Sequence, residues 1–239
     1  MTPLLLLVFG VSPVTAIGTD LLFAGLTKLG ASRVHDKAGL VDWPIVKRLW
    51  VGSLPASGIS IWLLQQGWVH VDIGQLPRWI GLMILFTALG MLAQRRLHQF
   101  GAQLRLSHAN RFKQLQPLLT VLAGSILGVL VSLTSIGAGA LGAVLLTYLY
   151  PLRMQAAKLV ATDIVHAIPL ALFAGLGHML AGHVNFELLG WLLLGSIPGV
   201  WIGAKLSSTL PATPLRLMLA IVLGAIGLKM TDLPNLLTP

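Results

Sequence analysis

The 239-residue chain contains no cysteine, which removes disulfides and thiolate metal ligands from its chemistry. Charge is almost as scarce. Asp, Glu, Lys and Arg together make up 10% of the residues, against roughly 25% in soluble domains, so a separate soluble domain has no room here. The alternation of apolar and polar residues over ~10-residue stretches that builds a membrane β-barrel is missing. So are a phosphate-binding loop, a nucleophile elbow and an H-E-x-x-H helix, and no motif calls for a cofactor or a metal. The first residues lack a basic stretch, so no cleavable signal peptide is expected.

Hydrophobic residues dominate what remains, at 56% of the chain with a mean hydropathy of +0.86. Apolar runs cover residues 3–9, 14–27, 49–64, 79–93, 118–131, 141–150, 156–176, 188–202 and 215–228. Several fall short of the ~20 residues that cross a bilayer upright, which points to half-helices among full spans. The chain is expected to be an all-α polytopic protein of the cytoplasmic membrane. Its net charge of +9 does not mark a nucleic-acid binder, because the basic residues sit in short loops between apolar runs, where they set topology. Trp43, Trp50, Trp68, Trp79, Trp191 and Trp201 lie near segment ends and are expected to anchor at the membrane interfaces.

The sequence repeats. Thr19-Asp20-Leu21 returns as Thr162-Asp163-Ile164, Val41-Asp42-Trp43 as Val184-Asn185-Phe186, and Gly52-Ser53-Leu54-Pro55 as Gly195-Ser196-Ile197-Pro198, each time 143 residues on. Charge then orients the copies. The loop 28–48 carries five Lys/Arg and its counterpart 171–191 none; the turn 8–15 carries none and its counterpart 151–158 holds Arg153 and Lys158. Equivalent loops of opposite basicity belong on opposite sides of the membrane, so the repeats are expected to be inverted. The expected organisation is a first transmembrane repeat over 1–94, a basic cytoplasmic linker over 95–116, a second repeat over 117–230 and a short tail over 231–239. The stretch 118–142 opens the second copy and has no counterpart in the first, which lacks its opening helix. A start assigned too late, a truncated sequence or a natural asymmetry would each account for this.

Within that opening stretch, residues 132–142 read S-L-T-S-I-G-A-G-A-L-G. Glycine weakens a helix by about 1 kcal/mol relative to alanine and lets backbone approach backbone or ligand. A helix broken at membrane depth survives only inside protein or beside a cavity, and such breaks mark transporter sites. Close helix packing by small residues is the plainer alternative. Ser132, Thr134, Ser135, Gly137 and Gly139, with Thr19 and Thr162, are candidate substrate-binding residues. A helix restarting after Gly139 aims unpaired N–H groups at the break, and these suit a small oxyanion.

Asp20 and Asp163 are acidic residues well inside apolar runs, where a carboxylate costs several kcal/mol unless protonated, paired or wet. Capping a helix is the structural alternative. His166 shares a helical face with Asp163 and is a candidate proton relay with it, or a histidine satisfied by a backbone carbonyl. Lys28 and Lys158 are expected at helix ends, reaching toward headgroups. His178 and His183 lack a third ligand for zinc.

S-I-G-A-G at 135–139, A-I-G-T-D at 16–20, V-D-W at 41–43 and G-S-I-P-G at 195–199, with W-I-G-A-K-L just beyond, resemble the TauE/SafE family of membrane permeases, known as sulfite exporters. The similarity runs over essentially the whole chain, without the family's first Gly-rich motif. It implies a permease for sulfite, a sulfonate or another small sulfur-containing or organic anion. The expected function is an inverted-repeat secondary carrier that exports such an anion and is coupled to protons. Its partners are the anion and membrane lipids, with homo-oligomers left open. A non-transporting membrane subunit or an intramembrane enzyme is the alternative.

Overall fold

Long apolar runs bounded by glycine, proline and basic turns become helices because a backbone in hydrocarbon must satisfy its own hydrogen bonds. In the computed structural model, which describes residues 1–37, 39–67, 75–107, 109–137, 139–207 and 212–231, the ordered elements are helices. They are α1 (Thr2–Leu7), α2 (Pro13–Lys37), α3 (Trp43–Gln65), α4 (Leu76–Ser107), α5 (Ala109–Thr134), α6 (Ala140–Leu149), α7 (Ala156–Leu180), α8 (Phe186–Ser207) and α9 (Ala212–Thr231). Residues 76–94, 113–134 and 157–180 are long and apolar enough to cross a membrane.

Two helices are short. The six residues of α1 and ten of α6 extend only about 9 and 15 Å, half a bilayer or less. Each is followed by a turn and then a 25-residue helix, α2 or α7. These long helices start at 13 and 156 and end at 37 and 180, so both bounds are 143 residues apart. α3 and α8 start at 43 and 186, the same interval. The spacing found in the side chains is therefore also the spacing of the helix ends.

The boundaries differ from the apolar runs where charge is carried along a helix. α2 continues to Lys37, so Lys28 lies inside it rather than at its end. The stretch 95–116 is largely helical: α4 runs on to Ser107 and α5 starts at Ala109. Trp68 and residues 232–239 lie outside the described residues, as do the side chains of Arg33, Trp201 and Lys205.

The closest helix crossing joins α3 to α5. A Cβ on Gly52 would collide with the Val121 carbonyl, one on Gly124 with the Leu49 carbonyl, and one on Gly128 with the Ser53 carbonyl. Gly124-x-x-x-Gly128, upstream of the Gly/Ser-rich break, is thus a G-x-x-x-G packing seam. One apolar cluster gathers Ile17, Leu21, Ile61, Ile80, Ile84, Val131 and Leu170 between α2, α3, α4, α5 and α7. A second gathers Ile45, Leu49, Leu146, Tyr150 and Leu159. Leu82, Phe86, Leu89, Leu122, Ile126 and Trp191 face outward, as lipid-facing residues do. Trp50 is half-buried, and its Nε1–H donates to the His166 carbonyl at 3.1 Å.

Candidate functional site

The helix formed by α5 stops at Thr134 and resumes at Ala140 with Gly139 as N-cap. Ser135, Gly137 and Gly139 have φ of +58°, +116° and +140°. Left-handed backbone costs an L-residue about 1–2 kcal/mol; the two glycines escape that cost and Ser135 bears it. Thr134 braces the break, because its Oγ1 donates to the Leu130 carbonyl at 2.6 Å and accepts the Ile136 N–H at 3.2 Å. Ser132 donates to the Val129 carbonyl at 3.0 Å, while its own carbonyl accepts from His178 Nε2 at 2.8 Å.

The two aspartates meet this break at its two ends. Asp20 Oδ2 accepts the Ser135 hydroxyl at 3.1 Å, the Thr2 N–H at 2.7 Å and the Thr2 hydroxyl at 2.6 Å, and lies 3.2 Å from the Met1 ammonium. Asp163 lies against the start of α6. A Cβ on Gly142 would collide with Asp163 Oδ1, so only glycine lets the carboxylate come this near; at Gly139 the same atom would stand 4.0 Å from Oδ2. Asp163 Oδ1 is buried and has no hydrogen-bond partner among the described residues. The residues brought together are thus Ser135, Gly137 and Gly139, with Asp20 on one flank and Asp163 on the other.

Thr19 and Thr162 take a different part. Thr19 Oγ1 accepts the Asn185 N–H at 3.1 Å, and Thr162 Oγ1 accepts the Asp42 N–H at 3.1 Å. Both threonines are completely buried. Thr19 pairs with Thr162 and Asp42 with Asn185 at the 143-residue interval, so each copy supplies the acceptor for the other.

The side chains beyond those backbones are not equivalent. Asp42, 2% exposed, takes the Arg153 guanidinium in a two-pronged pair, Nε to Oδ2 at 2.7 Å and Nη2 to Oδ1 at 2.9 Å, and Lys158 Nζ at 3.0 Å. Lys158 therefore pairs with a carboxylate instead of reaching for headgroups. Asn185 Oδ1 accepts the Leu188 N–H at 2.9 Å and caps α8. Asp42 is the buried ion-paired residue that motif reading missed, since it served there only as a repeat and family marker. Its partners lie 111 and 116 residues away, beyond any local signal.

His166 is 1% exposed and pairs through Nε2 with Ser53 Oγ at 3.0 Å. Its Nδ1 has no partner among the described residues, and neither has Asp163 Oδ1, so no hydrogen bond joins these two atoms. Position 23 in the other copy is phenylalanine, so this histidine belongs to one half alone. Lys28 lies within electrostatic reach of both Asp163 and Asp20. The rings of His178 and His183 lie 5.9 Å apart between centroids, tilted by 50°, and no group of three metal-ligating side chains occurs among the described residues.

An all-helical membrane protein with a helix broken between two buried carboxylates is the class this geometry defines. The sulfite exporter TauE/SafE family matches residues 1–230; the chain belongs to that family of membrane transporters. It is 35% identical to the probable membrane transporter protein YjnA of Bacillus subtilis strain 168, an alignment covering 96% of this chain and 89% of the relative. With YdhB of the same organism, also a probable membrane transporter protein, identity is 25% over 94% of this chain and 87% of the relative. No solved structure matches the chain.

Proposed function

We propose that this chain is a multi-pass secondary carrier of the cytoplasmic membrane that exports a small sulfur-containing or organic anion, coupled to protons. The observation that carries the reading is the break at 135–139, held between Asp20 and Asp163. The start of α6 aims the positive end of its dipole at the break, where Ser135, Gly137 and Gly139 all take positive φ. A small oxyanion held by neutral N–H and O–H donors needs no desolvated cation of its own. In this reading Ser132, Thr134, Thr19 and Thr162 hold the walls, since their hydroxyls already engage backbone groups. Asp163 would repel an anion unless protonated or balanced by Lys28, which makes proton binding and anion binding mutually dependent. His166, three residues on, is the proposed route for that proton.

Topology rests on charge. Placing the loops 28–48, 95–113, 153–158 and 205–216 inside gathers most of the Lys/Arg on one side, as cytoplasmic loops require. The pairing of Asp42 with Arg153 and Lys158 joins two of those loops, which supports putting them on the same side and inverting the halves. Anionic lipid contact at the basic 95–116 stretch follows from the same placement.

The test is flux of labelled sulfite, sulfonates and carboxylates in proteoliposomes, with Asp20→Asn and Asp163→Asn as controls. Saturable flux that an imposed pH gradient accelerates is the expected result. A rate indifferent to the proton gradient would rule out the coupling, and no flux of any of these anions would rule out the carrier.

A further inference from the structure

A cavity of about 720 Å³ lies between α4, the far end of α6 and the start of α7. Its polar lining consists of Gln94, His98, Gln99, Thr147 and Gln155, and no carboxylate lines it among the described residues. The rest is apolar, notably Leu152, Met154, Leu159 and Val160. Three of these polar groups, Gln94, Thr147 and His98, are held by hydrogen bonds. Gln94 Nε2 donates to Thr147 Oγ1 at 3.1 Å, and Thr147 donates to the Ala143 carbonyl at 2.7 Å. His98 Nε2 meets the Pro151 carbonyl at 3.0 Å; a carbonyl only accepts, so this nitrogen carries the proton.

Size and chemistry together select a ligand. The volume falls within the range of roughly 300–1,000 Å³ typical of small-molecule sites, and bare sulfite would fill a small fraction of it. Neutral carboxamide donors suit a sulfonate or carboxylate head, and an apolar wall suits a hydrocarbon body, which gains free energy in proportion to the area removed from water. The cavity shares α6 with the break: the start of that helix abuts Asp163 at Gly142, and Ala143 and Thr147 form part of the cavity wall.

We propose that this cavity is the inner subsite for an organic anion, head on the carboxamides and body against Leu152, Met154, Leu159 and Val160. The carried substrate is then an organic sulfonate or carboxylate with an apolar body, not bare sulfite. This assignment rests on the carrier reading above.

The experiment is equilibrium dialysis of labelled methane-, butane- and hexanesulfonate against the full chain in phosphatidylcholine nanodiscs. Affinity should rise about fourfold per added methylene. Val160→Trp and Leu152→Trp should abolish that rise; both sites are at the cavity mouth, 47% and 65% exposed, where a larger side chain fills space without entering the core. A thermal melt matching wild type shows that the variants fold. Affinity independent of chain length, or a rise that survives both variants, overturns the proposal. Displacement of hexanesulfonate when phosphatidylglycerol replaces phosphatidylcholine assigns the cavity to lipid and also overturns it. Sulfite flux without hexanesulfonate binding overturns the subsite and leaves the carrier standing. Chain-length-dependent binding without flux of any anion supports the subsite and removes the carrier.

Discussion

Around Asp20 one carboxylate oxygen gathers the Thr2 N–H and hydroxyl, the Ser135 hydroxyl and the Met1 ammonium. Around Asp163, 143 residues on, Oδ1 gathers no donor among the described residues. The paired shelves beside them diverge in the same manner. Both Thr162 and Thr19 accept a backbone N–H at 3.1 Å, yet behind the first stands Asp42 with two cations and behind the second a neutral asparagine cap. Duplication has kept the uncharged braces, which need only shape and one hydrogen bond. It has let the charges part, leaving one carboxylate satisfied and one with acceptor capacity to spare.

The aspartates supply the widest contrast. Asp163→Asn should reduce proteoliposome flux to background while the melting temperature holds or rises, because a buried carboxylate oxygen with no donor among the described residues is a burden to the fold. Asp20→Asn should retain measurable flux and lower the melting temperature, since its oxygen anchors the start of α1 and the break. Equal losses in both variants would erase the distinction.

Next come the shelves. Asp42→Asn, which copies the other half's residue, should destabilise by about 1–3 kcal/mol in a denaturant or thermal titration. The loss is tempered because Arg153 and Lys158 are half-exposed and return to water. Asn185→Asp should change stability little, since the position is exposed and aspartate caps the start of α8 as well as asparagine does. Thr162→Val and Thr19→Val should each cost about 1–3 kcal/mol by leaving a buried N–H unpaired. A cost at only one site contradicts the reciprocal bracing.

The smallest effect is expected at Ser135. Ser135→Gly removes left-handed strain of about 1–2 kcal/mol together with a hydrogen bond of about 1 kcal/mol, so stability should barely change. Ser135→Ala keeps the strain and loses the bond, and should melt lower than wild type.

Much of this was legible in one dimension. A chain poor in charge and rich in long apolar runs has to be helical in a bilayer, because a backbone without water must bond to itself. The repeat of Thr-Asp announced the pair of carboxylates, and glycines at 137 and 139 announced a break that most other residues could not form without strain. Asp163 and His166 were placed on one face by spacing alone, but spacing does not settle a bond, and His166 Nε2 pairs with Ser53 instead.

Other features came into being only when distant segments met. Asp42 acquires Arg153 and Lys158, Thr19 serves Asn185, and Gly142 admits Asp163, each across a packing contact between helices far apart in the chain. Local sequence fixes periodicity, breaks and charge at membrane depth because those depend on neighbours along the chain. Which carboxylate is satisfied and which is left open depends on neighbours across it, and those are set by how the helices pack.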